Sequence, residues 1–352
     1  MSARRLSSAL VHALAAALVA CQPGLAADAA RVPQPGLHVE YRGARALPGE
    51  AATSGGVRVP VAGLSGLAWL GDDRYVAILD NSRHVLRLRL AVAADGMPQS
   101  ARDLEVVTLA EHHDFEDVAP SPADAAGVYL CEEDTPAIRA FRLTDGGAAG
   151  QVQLPAVFRT RRANRGPEAL ALDPDGRHLW TANEEALEVD GPPPAANLGT
   201  VVRLTRLALA PGEPTRQVAY RADPPHEFIP VAAGPVLSGV VAVVPLGEGR
   251  LLVVERSGGP GLPPFENRVY LVDVAGAPDV SQIDRGLADR HGAIVAKRLL
   301  WSGALGLNIE GMAMGPRLDG RRRALLAVAD NGGLGTPSQV AGFVLSAAVT
   351  SP

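Results

Sequence analysis

Three glutamates open three short segments of one pattern: Phe115-Glu116-Asp117-Val118-Ala119, Pro167-Glu168-Ala169-Leu170-Ala171 and Ile309-Glu310-Gly311-Met312-Ala313. Ser65 and Gly239 stand in the same slot of two related segments, Leu64-Ser65-Gly66-Leu67-Ala68 and Ser238-Gly239-Val240-Val241-Ala242. A second series, Asp80, Glu132, Asn183, Glu255 and Asp330, closes the apolar run that follows each segment. The next residue is polar again in every case: Asn81, Glu133, Glu184, Arg256 and Asn331. Oxygen ligands gathered from several chain segments suit Ca²⁺, a hard cation of flexible geometry. Carboxylates pushed together without a cation would repel one another and raise each other's pKa. The competing reading is structural, with each acid capping backbone N–H groups and locking neighbouring elements together. For Glu116, Glu168 and Glu310 taken together the site reading is favoured, because three carboxylates at one place carry a large uncompensated cost.

Other candidates carry less. His112-His113-Asp114 has metal-ligand side chains, but adjacent histidines on a strand point to opposite faces, so only a loop could converge them. Gly63-Leu64-Ser65-Gly66-Leu67 is half of a nucleophile elbow without its final glycine or its helix. Arg83, Arg165 and Arg256 lie beside the acidic positions and could hold a phosphate. Against that stands the composition: Lys297 is the only lysine among 33 basic residues, so arginine is simply common. No phosphate-binding loop, dinucleotide fingerprint, zinc spacing or cysteine nucleophile is present.

What must position the acids is a repeat. Each segment is followed by a turn and a second strand: Tyr75–Asp80, Val128–Glu132, His178–Asn183, Leu251–Glu255 and Leu325–Asp330. Third strands follow at Val85–Leu90, Ile138–Leu143, Val201–Leu207, Val269–Val274 and Val340–Leu345. Fourth strands are expected at Leu104–Leu109, Val152–Val157, Arg216–Tyr220 and Lys297–Trp301. The slot residues are spaced by 51, 52, 71 and 71, with insertions at Gly191-Pro192-Pro193-Pro194, 222–237 and 275–296 stretching the two long intervals. Four strands per unit of this length predict an all-β propeller, in which rotation about one axis would bring equivalent positions to one channel mouth. Five blades are recognisable, or six should residues 37–60 form a degenerate one, and Leu37–Arg42 is expected to supply the strand missing from the last blade. The 38 glycines and 29 prolines agree with dense turns and exclude a helical bundle. A net charge of −5 with dispersed arginines excludes a nucleic-acid footprint, and two cysteines exclude a disulfide framework.

The first 27 residues read as an export signal. Arg4 and Arg5 precede a 12-residue apolar stretch, Ala9 to Ala20, which is too short to span a bilayer. Leu18-Val19-Ala20-Cys21 looks like a bacterial lipobox, which would make Cys21 a lipidated N-terminus and a membrane tether. The alternative is ordinary cleavage near Ala27 or Ala29. Residues 28–36 then form a linker, and 37–352 a single propeller domain in the periplasm, on the envelope or secreted. Cys131 is expected to be a buried, inert thiol.

Over about residues 60–345 the chain resembles the phytase-like family, described as having the esterase-like activity of phytase. The likeness is carried by Leu79-Asp80-Asn81, Cys131-Glu132-Glu133, Asn164-Arg165-Gly166-Pro167-Glu168 and Val254-Glu255-Arg256. Most specific is Asn308-Ile309-Glu310-Gly311-Met312-Ala313-Met314-Gly315-Pro316-Arg317, closed by Ala329-Asp330-Asn331. The resemblance implies an exported propeller hydrolase of phosphate or related esters, working with Ca²⁺. Ser65, Gly239 and Ala329 stand where the pattern favours acids, which thins the set. On this basis Glu116, Glu168, Glu255 and Glu310 are expected to hold metal, with Asp80 or Asp330 as base. Arg165, Arg256 and Asn331 would meet a small-molecule ester. The rival classes are a non-catalytic, lipid-anchored scaffold of the envelope and a lactonase-like hydrolase of carbon–oxygen esters.

Overall fold

The computed structural model describes residues 36–330 and 337–347. The described residues form no α-helix, only strands and three short 3-10 turns. Five sheets of four or more strands follow one another around a ring, each antiparallel from an inner strand outward apart from one outer pairing in the first blade. The innermost strands are Leu64–Trp69, Phe115–Pro120, Pro167–Leu172, Leu237–Gly247 and Asn308–Arg317. Each packs beside the next, and the last returns to the first, so the ring is closed.

The expected N-terminal strand is there. Leu37–Ala46 pairs antiparallel with Gln339–Ala347 and completes the fifth blade. Residues 50–60 build no sixth blade. Glu50–Thr53 lies parallel to Arg102–Thr108 and antiparallel to Arg58–Pro60, which widens the first blade to six strands. The fourth strand of the second blade is shifted from its expected place. It runs Ala148–Val152, and the chain from 156 to 160 turns as a 3-10 helix instead.

Burial falls between blades rather than in one central mass. One cluster joins Leu252, Val254 and Val269 of the fourth blade to Ile309, Leu325 and Phe343 of the fifth. Equivalent layers join the remaining neighbouring pairs. Near the axis the strands touch by backbone. A Cβ on Gly66 would lie 2.5 Å from Asp117 Cα and 2.8 Å from the Glu116 carbonyl oxygen, and one on Gly239 would lie 2.4 Å from the Glu184 carbonyl oxygen. Any side chain at either position would push two blades apart.

Asp117 ties three blades at this level. Its buried carboxylate accepts the Leu67 amide of the first blade at 3.3 Å, its neighbour Val118 at 2.8 Å and Leu170 of the third at 2.8 Å. This is the structural use of an acid foreseen for the glutamates, carried out one residue further on. Cys131 is fully buried against Asp117, as expected of an inert thiol.

Candidate metal centre at the channel mouth

Each innermost strand skips one pairing step near its start. Phe115 pairs with Glu132 and Asp117 with Cys131, which leaves Glu116 as an extra residue. Glu168 is extra between Pro167 and Ala169, and Glu310 between Ile309 and Gly311. Such bulges re-aim one side chain, and here they turn three glutamates to the same cavity. In the first blade Ser65 and Gly66 fill the skipped step. In the fourth it is Val241, two residues beyond the Gly239 expected there, and its side chain joins the apolar layer.

The second acidic series divides by strand alternation. Asp80, Glu133, Glu184, Arg256 and Asp330 line the cavity. Glu132, Asn183 and Glu255, each one residue earlier, point into the blades. Glu132 binds Arg139 and His113, and Asn183 accepts the Arg203 amide at 2.9 Å. Glu255, expected as a metal ligand, is instead held by Lys297 at 2.6 Å, the Tyr220 hydroxyl at 2.5 Å and the Asp223 amide at 3.0 Å. Its expected place at the site belongs to Arg256. The two histidines of the 112–113 pair do not converge, since His113 is engaged by Glu111 and Glu132. Asn331 and Cys21 lie outside the described residues.

The cavity encloses about 170 Å³ and is lined by eight carboxylates against two guanidiniums. Asn81 and Asn164 at its edge adopt left-handed backbone, a conformation asparagine tolerates, with φ of 52° and 55°. Two groups of acids approach as ligands do. Asp80, Asp114 and Glu116 offer oxygens within 4.8 Å of one another, as do Glu116, Glu133 and Glu168. Glu116 belongs to both.

The arginines occupy the other side. Arg256 donates to Glu184 at 2.7 Å, Glu310 at 2.7 Å and the Asn308 side-chain oxygen at 2.9 Å. Arg165 pairs with Glu184 at 2.9 Å and Glu185 at 3.2 Å. Burial opposes the Arg256 charge, but Glu310, Glu184 and Glu168 more than restore it and raise its pKa.

That compensation does not reach the acids of the two groups. Burial, reinforced by Asp80, Glu133 and Asp114, raises the Glu116 pKa well above the usual range. Burial and the Glu116 charge do the same to Glu168. Glu133 is pushed up to about 7, chiefly by burial, although the Gly166 amide opposes the shift. Asp114 is pushed up to about 6 by burial and by Asp80. Glu310 reaches about 7 through burial, in spite of Arg256. Among the carboxylates lining the cavity, three buried oxygens have no hydrogen-bond partner: Asp114 Oδ1, Glu133 Oε2 and Glu310 Oε2. Buried polar atoms are almost always satisfied, so this cluster fits a bound cation. The acids are all hard oxygen donors, as a calcium-type ion requires.

The family model described as phytase-like, esterase-like activity of phytase, matches residues 59–333. The chain belongs to the phytase-like family. The match takes in all the acids that line the cavity, Asp80 through Asp330. No curated protein sequence matches this family member. Among solved structures, it is similar to a PQQ-bound aldose sugar dehydrogenase from Streptomyces coelicolor, at 13% identity and a TM-score of 0.43 over 90% of this chain and 100% of that one. A streptogramin B lyase matches at 8% identity and 0.35 over 88% and 98%, and a glucose dehydrogenase at 12% and 0.37 over 87% and 98%.

Of the residues expected at a site, Asp80, Glu116, Glu168, Glu310, Asp330, Arg165 and Arg256 line this cavity; Asp114 figures only within the His112-His113-Asp114 cluster, and Glu133 and Glu184 have no assigned role. Glu133 and Glu184 were visible as the polar residue after each strand-ending acid. Asp114 carried a weaker signal, its position two residues before a slot glutamate.

Proposed function

We propose that the protein is an exported, calcium-dependent hydrolase of phosphate or related esters, working at the acidic mouth of the propeller channel. The observation that carries this reading is the set of unpartnered carboxylate oxygens, Glu133 Oε2 foremost, in a cavity where two guanidiniums, paired with Glu184, Glu185 and Glu310, face eight carboxylates. Glu116 would be shared between the ligand groups, with Asp80 and Asp114 on one side and Glu133 and Glu168 on the other. A divalent cation held there supplies a Lewis acid that polarises a phosphoryl oxygen and lowers the pKa of a bound water.

The protein's own groups divide the remaining work. Arg165 keeps 28% of its side chain exposed against 9% for Arg256, so it is the guanidinium that an incoming anion meets first. Arg256, fixed between Glu184 and Glu310, orients those carboxylates rather than the substrate. Asp80 belongs with the ligands, which leaves Asp330, on the cavity wall outside both groups, as the candidate base. Export is supported by the charged and apolar N-terminal segment, with Cys21 as the candidate lipid attachment site.

The test is hydrolysis of 4-nitrophenyl phosphate by the purified protein, with Ca²⁺ and with EGTA. Turnover that requires Ca²⁺, with stoichiometric metal in the protein, is expected. Failure to turn over under any metal condition would overturn the hydrolase, and a metal-free protein unmoved by chelation would favour the scaffold.

A further inference from the structure

The cavity lining is mostly charged and polar, yet a strip without one polar side chain runs up to its rim. Residues 229–237 read Ile-Pro-Val-Ala-Ala-Gly-Pro-Val-Leu, and Leu237 both ends the strip and lines the cavity. The strip begins in a small flap on the fourth blade, where Ile229–Pro230 pairs with Gly261–Leu262. Ile229 lies directly opposite Leu262, so their side chains share one face, and the exposed Val231 follows in the bend just beyond the short strand. These three are exposed by 74%, 58% and 68%, among the few large apolar side chains that the described surface leaves to water.

The flap is built firmly. The amides of Val231 and Ala232 both donate to the Pro260 carbonyl, at 3.0 and 3.1 Å. The Phe228 ring packs where a Cβ on Gly259 or Gly261 would stand, which holds the two legs together from the other side. Below it His226 is clamped between the Ser257 hydroxyl at 2.6 Å and the Pro263 carbonyl at 2.9 Å. This Ser–His pair is buried under the flap, with Ser257 only 1% exposed, so it anchors and does not react. One leg of the flap ends on Leu237; the other leaves the sheet at Gly258, two residues after Arg256 of the cavity wall. A fixed apolar face therefore continues from the Leu237 and Arg256 side of the cavity wall, at no cost of ordering a loop.

We propose that this face is the apolar half of the substrate site: the substrate is an amphiphilic ester whose phosphate enters the acidic cavity while its alkyl or aryl group lies along Ile229, Val231 and Leu262. The inference rests on the phosphate-ester reading above, and continuity through Leu237 is what ties the face to the cavity.

The experiment is calorimetric titration of methylphosphonate and octylphosphonate into the calcium-loaded protein and into the exposed-surface double variant Ile229→Ser/Leu262→Ser. Each methylene buried is worth about fourfold in affinity. Octylphosphonate is therefore expected to bind at least about tenfold more tightly than methylphosphonate, with that ratio falling towards one in the variant. Equal affinities in the unsubstituted protein would overturn the amphiphilic substrate while leaving calcium-dependent phosphate binding intact. A ratio that survives the substitutions would place the apolar contact elsewhere and overturn the role of the flap. Binding of neither ligand would remove the phosphate reading and this inference with it. Cosedimentation with phosphatidylcholine vesicles that the double variant abolishes would make the face a membrane contact and overturn the proposal.

Discussion

Glu255 and Arg256 are consecutive on one strand and face two different electrostatic worlds. On the Glu255 side, the one lysine of the chain meets Glu255 and Asp223 at 2.6 Å each and lies over the Tyr270 and Tyr220 rings, at 4.1 and 5.1 Å. Both carboxylates there are satisfied within the fold, by the shared ammonium and by the Tyr220 and Tyr270 hydroxyls. On the Arg256 side, eight carboxylates share two guanidiniums, and buried oxygens are left without partners. Both regions are acidic and built on neighbouring strands. Balance, not acidity, separates a packing device from a place where something binds.

The comparison can be broken most directly at its balanced end. Lys297→Met would leave Glu255, which is 1% exposed, without its cation, and the cost of orphaning a buried charge is about 3 kcal/mol or more. Urea denaturation should show that loss, while calcium affinity measured on the folded fraction stays unchanged. A fall in calcium affinity of similar size would mean the two regions are not independent.

Removing a charge from the unbalanced end should have the opposite sign. Glu116→Gln relieves repulsion from Asp80, Glu133 and Asp114, so the metal-free protein should melt higher than the parent at pH 8. Its calcium affinity should drop by at least about tenfold, a loss that even outer partners of a metal site can cause. Titration calorimetry and thermal melting together test both halves, and a destabilised metal-free variant would point to capping instead.

The finest resolution comes from pH. Glu133 and Glu310 titrate near 7 in the folded chain against 4.5 for a free glutamate, so folding favours their protonated forms. Their contribution to stability is full below about pH 4.5 and is lost as pH rises through 7. Between pH 5 and 8 the melting temperature of the EGTA-treated protein should therefore fall by a few degrees, and excess Ca²⁺ should flatten the slope by favouring the ionised forms. A metal-free melting temperature that rises over this interval would contradict the assignment.

Much of this is legible in the sequence. Glu116, Glu168 and Glu310 could be aligned because a repeat announces equivalent positions, and closure by Leu37–Arg42 followed from counting strands in the last unit. The misplaced slot of the fourth blade had a plain cause. Gly239 occupies the aligned position, but the skipped pairing step falls at Val241, and nothing in the local composition marks which residue of Gly-Val-Val a strand will leave unpaired. Asp114 is legible only as part of a weak His-His-Asp cluster, because it precedes its strand, where a loop and not a period directs the side chain.

Residue types and their recurrence thus decided the blade architecture, the family and the presence of a recurring acidic position, since all three depend on pattern along the chain. Facing was decided by the tertiary structure alone. Side chains alternate every residue along a strand, so whether Glu132 or Glu133, Asn183 or Glu184, Glu255 or Arg256 meets the channel depends on a single step of register. That step is set by bulges and by glycine-thin contacts between blades, which exist only once the ring has closed.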